Sequence, residues 1–162
     1  MKQSKSAVSF FAMFASGFVL ASGSPVLEIR GNIAAQPNSL KVYTLSANQL
    51  LAMPQSSITT ATTWTPVSKF TGVKMEEIMR LTGAKGEYAH VYALDDYSVR
   101  IPVADFKRYG VVLAHSMNGR PLESNRFGPY FLIYPKDKHS KELNTPTSEA
   151  KFVWQVNRIV FQ

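Results

Sequence analysis

The chain has 162 residues, of which 45% are hydrophobic and 18% are charged, and its formal net charge is +7 at pH 7. This length is enough for one domain with a core of its own, and the positive charge is spread along the chain rather than clustered as in proteins that bind nucleic acid. The sequence contains no cysteine, which excludes disulfides, thiolate nucleophiles, zinc–thiolate and iron–sulfur sites.

The N-terminal residues have the order of a secretory signal peptide. Lys2 and Lys5 form a short basic region, residues 7–20 are apolar and uncharged, and small residues occupy positions 21–24. The apolar run of about 14 residues is short for a membrane span, and an uncleaved anchor is the alternative. We therefore expect residues 1–23 to be a signal peptide and residues 24–162 to form one exported domain.

The first part of this domain combines strands with two helices. Strands are predicted for residues 26–29, 40–45 and 57–64, with a turn at 36–39. Ser46 and Gln49 form a capping box that predicts a short helix ending near Pro54. A second helix begins near Met75, with its apolar residues on one face, and ends at Gly83.

The second part is richer in strands. Strands are predicted for residues 88–94, 97–101, 110–115, 130–134 and 152–161, a short helix for 102–106, and a polar loop for 137–150. Asp95 and Asp96 mark a hairpin tip, and Asn118-Gly119 is a strong signal for a tight turn. The pattern predicts one α+β domain, a mixed sheet or barrel with three short inserted helices.

The residue types favour binding over catalysis. His90, His115 and His139 are far apart in the sequence and form no metal-ligand motif. No nucleophile elbow and no glycine-rich phosphate loop occurs. Because 12% of the residues are aromatic and several stand beside polar strand ends, a ligand pocket is the better expectation.

Several short sequence segments occur in the same order as in a known family. Residues 43–54 read YTLSANQLLAMP, residues 70–73 read FTGV, residues 95–97 read DDY, residues 113–122 read LAHSMNGRPL, and residues 152–154 read FVW. Together with Gly128-Pro129, they cover residues 26–161 and resemble the oxidoreductase molybdopterin-binding domain, which has the sulfite oxidase fold. The resemblance implies that fold for this chain.

Two departures from the family pattern matter. The resemblance places Trp64 at or within one residue of the cysteine that ligates molybdenum in those enzymes, and the chain is too short for their additional domains. What remains resembles the small, exported, metal-free pterin-binding proteins of bacteria. That resemblance implies a periplasmic location, a reduced, metal-free pterin as ligand, no molybdenum, and a membrane-bound regulator of cyclic di-GMP as partner.

The resemblance also supplies candidate pterin-binding residues. Trp64 would offer a ring face to a flat pteridine, with a core tryptophan as the alternative. Asp95 would accept hydrogen bonds from pterin N–H groups, or would only cap a turn. Tyr97 lies beside it and is more easily explained by packing.

Further candidates follow later in the chain. Arg126 would donate to a pterin oxygen, with a solvated surface arginine as the alternative. Tyr134, Lys136 and Asp137 lead from a strand end into the polar loop, where binding groups are common. Trp154 is expected in the core.

Three functions remain open from the sequence. The favoured one is non-catalytic capture of a reduced pterin in the periplasm, with the loaded protein sensed by the periplasmic part of a membrane protein. The second is a divergent oxidoreductase that uses molybdopterin without a cysteine ligand. The third is a scaffold that keeps the fold for protein contacts alone. Nucleic acid is not an expected partner.

Overall fold

Ten strands and five short helices make up the parts of the chain that the computed structural model describes, residues 24–35 and 42–162. The strands form two five-stranded sheets. This arrangement confirms the predicted α+β domain. The predicted signal peptide and the predicted turn at residues 36–39 lie outside the described residues.

The first sheet joins strands from both ends of the domain. Its order is β2-β1-β10-β5-β6, and every pair is antiparallel except β1 with β10. The strands are β1 (Val26–Gly31), β2 (Val42–Ser46), β5 (Tyr88–Ala93), β6 (Ser98–Pro102) and β10 (Val156–Phe161). The β5–β6 hairpin turns at Asp95 and Asp96, as predicted from the sequence.

The second sheet is built around β7. Its strands are β3 (Gln55–Thr60), β4 (Ser68–Lys74), β7 (Val112–Met117), β8 (Arg120–Pro121) and β9 (Phe131–Ile133). The order is β3-β4-β7-β8, and β9 also pairs with β7. Asn118 and Gly119 both have positive φ angles, 52° and 78°, which confirms the tight turn between β7 and β8.

Local sequence signals explain three of the helices. The five helices of the described residues are α1 (Ala47–Ala52), α2 (Met75–Thr82), α3 (Val103–Tyr109), α4 (Ser140–Leu143) and α5 (Pro146–Glu149). Ser46 and Gln49 make the reciprocal hydrogen bonds of the capping box at the start of α1. Gly83 ends α2 and Gly110 ends α3 in the left-handed conformation. None of the described helices is long and apolar enough to cross a membrane.

The core contains the inward residues of both sheets. Leu27, Ile29 and Val91 from the first sheet and Phe70 and Phe131 from the second are fully buried. Alternate residues of the first sheet therefore point inward and outward, as period-two side-chain geometry requires. The outward residues remain half-buried or exposed.

The structure corrects the predicted strand at residues 57–64. Strand β3 ends at Thr60, and residues 61–65 turn away from the sheet. The cause is Thr62, whose Oγ1 accepts hydrogen bonds from the N–H groups of Trp64 and Thr65 at 3.2 and 3.1 Å. This local capping satisfies backbone donors that a strand would have paired with its neighbour.

The segment predicted as a loop, residues 137–150, is also different from the prediction. It holds α4 and α5, which raises the number of helices from the predicted three to five. Thr145 caps α5 through Ser148 N–H, and Pro146 occupies the first helical turn. The closing strand is shorter than predicted and begins at Val156, after Gln155 adopts a positive φ of 55°.

Candidate functional site

A cleft of about 380 Å³ opens where three segments meet. They are the tip of the β5–β6 hairpin, the turn that follows β3, and the chain between α5 and β10. The lining residues are Thr63, Trp64, Ala93, Asp95, Tyr97, Glu149, Ala150, Phe152, Val153 and Trp154. This volume lies in the range of small-molecule pockets, and the walls are mainly apolar and aromatic.

Trp64 presents an uncovered ring to this cleft. Its side chain is 46% exposed, and its ring centroid lies 6.3 Å from that of the buried Phe131. The Thr62 hydroxyl fixes the turn by accepting the Trp64 backbone N–H. Trp64 is therefore positioned by a local cap and by one core contact, with about half of its surface free for a ligand.

The hairpin tip supplies a second part of the cleft lining. Asp95 Oδ1 accepts the backbone N–H of Tyr97 at 3.1 Å, and Asp96 has a φ of 64°. The Tyr97 hydroxyl donates to the carbonyl of Ala150 at 3.3 Å, and its side chain is 48% exposed. The tip is thus tied to the segment after α5, and Asp95 keeps acceptor positions in addition to the one that caps the turn.

Glu149 links the remaining walls. Its carboxylate accepts hydrogen bonds from Lys136 Nζ at 2.6 Å and from the Thr63 hydroxyl. Burial acts to raise the pKa of Glu149, but the hydrogen bonds from Lys136 and Thr63 and the charge of Lys136 hold this pKa below its usual value. Glu149 is therefore an anion that joins α5 to the turn carrying Trp64.

An aromatic cluster lies beside the cleft. Phe127 stacks on Phe131 with centroids 5.5 Å apart and meets Trp154 edge-on at 6.4 Å. Phe152 is buried beneath the cleft and contacts Tyr134. Trp154, expected in the core, is only partly buried and lines the cleft from one side.

The structure brings three of the seven predicted binding residues together. Trp64, Asp95 and Tyr97 all line the cleft. Lys136 and Asp137 do not line the cleft but hold neighbouring segments in place. Lys136 pairs with Glu149, and Asp137 accepts the backbone N–H of residue 61 at 3.1 Å, which supports the turn before Trp64.

The other two predicted binding residues lie elsewhere. Tyr134 has no exposed surface, and its hydroxyl donates to Asp105 at 3.3 Å. Burial, and then the negative charge of Asp105, raise the pKa of Tyr134 far above its usual range. We assign Tyr134 to the core, since a strand-end residue can face inward as readily as outward. Arg126 is exposed and lies at a separate depression beside Phe127 and Arg120.

Sequence reasoning missed Thr63, Glu149 and Phe152. Glu149 belongs to the segment interpreted as a featureless loop. The Thr145-Pro146 pair, a capping residue followed by proline, is the signal that could have revealed α5 and thus the fixed position of Glu149. No sequence signal indicates that α5 packs beside the turn after β3.

A larger groove, about 760 Å³, lies between α1 and the chain after β8. It includes His115, whose Nε2 is 2.8 Å from Gln55 Oε1 and whose pKa is lowered by burial. Its remaining lining consists mainly of leucine, proline and short polar side chains. Besides His115, its ring and carboxylate are the buried Tyr130 and the exposed Glu123. Because the smaller cleft instead presents half-exposed rings beside Asp95 and Glu149, we regard it as the candidate site.

The cleft combines aromatic ring faces with carboxylate acceptors. Among the described residues, no three His, Asp or Glu side chains converge as a metal site, and the sequence has no cysteine. Trp64, which the resemblance places at or within one residue of the metal-binding cysteine in the sequence, lines this cleft. Ring faces and carboxylates suit a flat heterocycle that carries N–H donors.

Comparisons with known proteins agree with this architecture. The family model described as oxidoreductase molybdopterin binding domain matches residues 27–138. The solved structure of the sulfane dehydrogenase SoxCD from Paracoccus pantotrophus superposes with a TM-score of 0.62 at 16% identity. The superposition covers 84% of this chain but 37% of that one, so the chain spans well under half of its length. At this identity the likeness concerns the fold alone. No curated protein matches the sequence.

Proposed function

This chain belongs to the oxidoreductase molybdopterin-binding domain family, and from that premise we propose that it is a non-catalytic pterin-binding protein of the periplasm. The proposed ligand is a reduced pterin without metal. The proposed role is to present that ligand to a membrane-bound regulator of cyclic di-GMP.

The observation that carries the proposal is the pairing of ring faces with carboxylates in one cleft. The half-exposed rings of Trp64 and Tyr97 and the partly buried ring of Trp154 border a space of about 380 Å³. Aromatic faces stack on flat heterocycles through area and through their quadrupoles. Asp95 stands at the cleft edge, where its carboxylate can accept the amino and ring N–H groups of a pterin.

The absence of thiolate chemistry supports binding over molybdenum catalysis. Soft thiolate is the ligand through which the resembling enzymes hold the metal, and this chain cannot supply it. Glu149, the most buried carboxylate of the cleft, already engages Lys136 and Thr63. The runner-up function, a divergent molybdopterin-dependent oxidoreductase, would require a different attachment of the metal.

The location and the partner rest on sequence arguments. The basic, apolar and small-residue order of residues 1–23 is that of an export signal. The proposal of a membrane-bound regulator as partner rests on the resemblance to small exported pterin-binding proteins. We expect the mature protein to begin near Ser24, and intact Met1 on protein found in the cytoplasmic fraction would contradict export.

Binding is tested by anaerobic titration of the purified mature protein with a tetrahydropterin. We expect one site per chain, with an indole fluorescence change because Trp64 and Trp154 border the cleft. A titration with guanosine, whose guanine base is a bicyclic heterocycle of similar size, is the specificity control. Equal affinity for both compounds, or none for either, would contradict the proposal.

A further inference from the structure

The outer face of the first sheet has an unusual composition for a surface in water. The five strands contain no lysine, and Glu28 is their only carboxylate. The side chains that point outward include Tyr88, His90, Tyr92, Arg100 and Arg158, which are half-buried or exposed. Tyrosine and arginine are enriched where proteins bind one another, whereas lysine and glutamate are depleted there. We call this surface the Tyr–Arg face.

The aromatic and basic groups of the Tyr–Arg face are held in place by one another. The Arg100 guanidinium lies 3.5 Å from the ring centroid of Tyr88, and that of Arg158 lies 4.3 Å from Tyr92. His90 stacks on Tyr92 at 6.4 Å. Side chains that are already ordered lose less conformational freedom on binding, which favours them as the residues that carry binding energy.

The charges of this face indicate which kind of partner would complement it. Arg100 contacts no carboxylate within the described residues, and the contact of Arg158 with the exposed Asp96 is long, at 3.8 Å. Arg30 and Glu28 already pair at 2.6 Å. The unsatisfied arginine donors therefore suit a partner surface with carboxylates. Three arginines beside Glu28 provide too few net charges for the many phosphate contacts that nucleic acid binding needs.

The size of the face also suits a protein partner. The described helices that contact this sheet do so chiefly at its edge strands, α1 at β2 and α3 at β6. Five strands at about 4.8 Å spacing and six residues at about 3.3 Å give a footprint of about 500 Å². One partner contributes about 800 Å² to a standard interface, so the face alone fits a transient contact.

The face adjoins the cleft through the β5–β6 hairpin tip. Asp96 contacts Arg158 on the outer side of the tip, and its neighbours Asp95 and Tyr97 line the cleft. A partner seated on the Tyr–Arg face would therefore touch the same turn as the ligand. We propose that this face docks a carboxylate-bearing surface of a partner protein, an inference that rests on the proposed relay because a relay requires a recipient.

The test places a benzophenone amino acid at Ser98 or Thr44, both exposed on the outer side of the sheet, and at Lys107 on α3 as control. Crosslinking is done in the native host, and the attached segment is identified by mass spectrometry. We expect one protein to be captured from both positions of the face and not from Lys107. The captured segment should carry aspartate or glutamate.

Charge reversal then tests whether the arginine side chains bind carboxylates of the partner. Arg100→Glu should lower crosslinking from Thr44 about tenfold or more, while Arg120→Glu, on the second sheet, should leave it unchanged. Replacing the captured carboxylate by lysine should restore crosslinking to Arg100→Glu. Melting temperature and extracted pterin are measured on both variants, and Arg100→Gln replaces Arg100→Glu if the latter does not fold.

Several outcomes would overturn the proposal. Capture of RNA, capture that is insensitive to Arg100→Glu, equal capture from Lys107, or no capture from either position of the face would each do so. The proposed pterin function is judged separately by the pterin content of the wild-type protein. Pterin present without capture would refute only the proposed docking surface. Capture without pterin would refute only the proposed ligand.

Discussion

Truncation of Trp64 distinguishes a ligand-binding ring from a packing residue. Trp64 is 46% exposed, and its ring contacts the buried Phe131. A tryptophan side chain has up to about 250 Å² of surface, so about 100 Å² is free to cover a ligand. Burial of this area contributes about 2.5 kcal/mol, and ring stacking adds about 0.5–1.5 kcal/mol.

The expected effect on binding is therefore large. Trp64→Ala should weaken tetrahydropterin binding by about 3–4 kcal/mol, which corresponds to about 100- to 1,000-fold in affinity. The effect on folding should be smaller. Full removal of a buried tryptophan costs about 3–5 kcal/mol, and we expect about 1–2 kcal/mol here because half of the ring is already in water.

The assay measures both quantities on one sample. Anaerobic titration calorimetry gives the affinity, and thermal unfolding without ligand gives the stability. Leu81→Ala is the control, because Leu81 is 41% exposed on α2 and lies outside the cleft. Normal affinity in Trp64→Ala would refute the placement of the site. A loss of binding that matches only the unfolded fraction would return Trp64 to a packing role.

Three further variants test the surroundings of the cleft. Asp95→Asn keeps an oxygen to cap the turn but removes the charge, so tetrahydropterin affinity should fall about tenfold or more at an unchanged melting temperature; normal affinity would show that the carboxylate does not face the ligand. Glu149→Gln should lower stability by about 1–3 kcal/mol at pH 7, because the mostly buried Lys136 loses its counter-charge. Since the folded-state pKa of Glu149 is lowered from 4.5, the wild-type advantage should be complete above that pH and vanish as the pH falls through the folded value; an advantage that grows in acid, measured by thermal unfolding at several pH values, would contradict the ion pair. Tyr134→Phe should cost about 1–2 kcal/mol through the lost hydrogen bond to Asp105 and leave pterin affinity unchanged; weakened binding in a folded protein would move Tyr134 into the site.

Much of the fold could be predicted because its signals are local. The Ser46–Gln49 capping box, the Asp95-Asp96 hairpin tip and the Asn118-Gly119 turn each depend on residues a few positions apart. Such signals act before tertiary contacts form, so the sequence carries them directly. The termination of β3 at Thr60 was missed because threonine favours strands on average, whereas the hydroxyl of Thr62 caps the backbone here.

Three residues of the candidate site were named from the sequence, in each case because the resemblance to the family placed them. Trp64 stands at or within one residue of the cysteine position, Asp95 and Tyr97 belong to the segment DDY, and all three line the cleft. Glu149 lies outside the segments that resemble the family. Its role arises from contacts with Lys136 and Thr63, which are 13 and 86 positions away in the sequence. Tyr134 directly follows β9, where sequence alone does not show which side chain turns inward, and Arg126 lies in the loop before that strand.

The small-molecule content of the native protein tests the central claim most directly. The mature protein is purified without oxygen from its own host grown with ample molybdate, and the extract is examined by mass spectrometry and by elemental analysis. We predict close to one metal-free pterin per chain and well under one molybdenum. Near-stoichiometric molybdenum would contradict the account and favour the divergent oxidoreductase, and a protein free of any pterin would favour a scaffold.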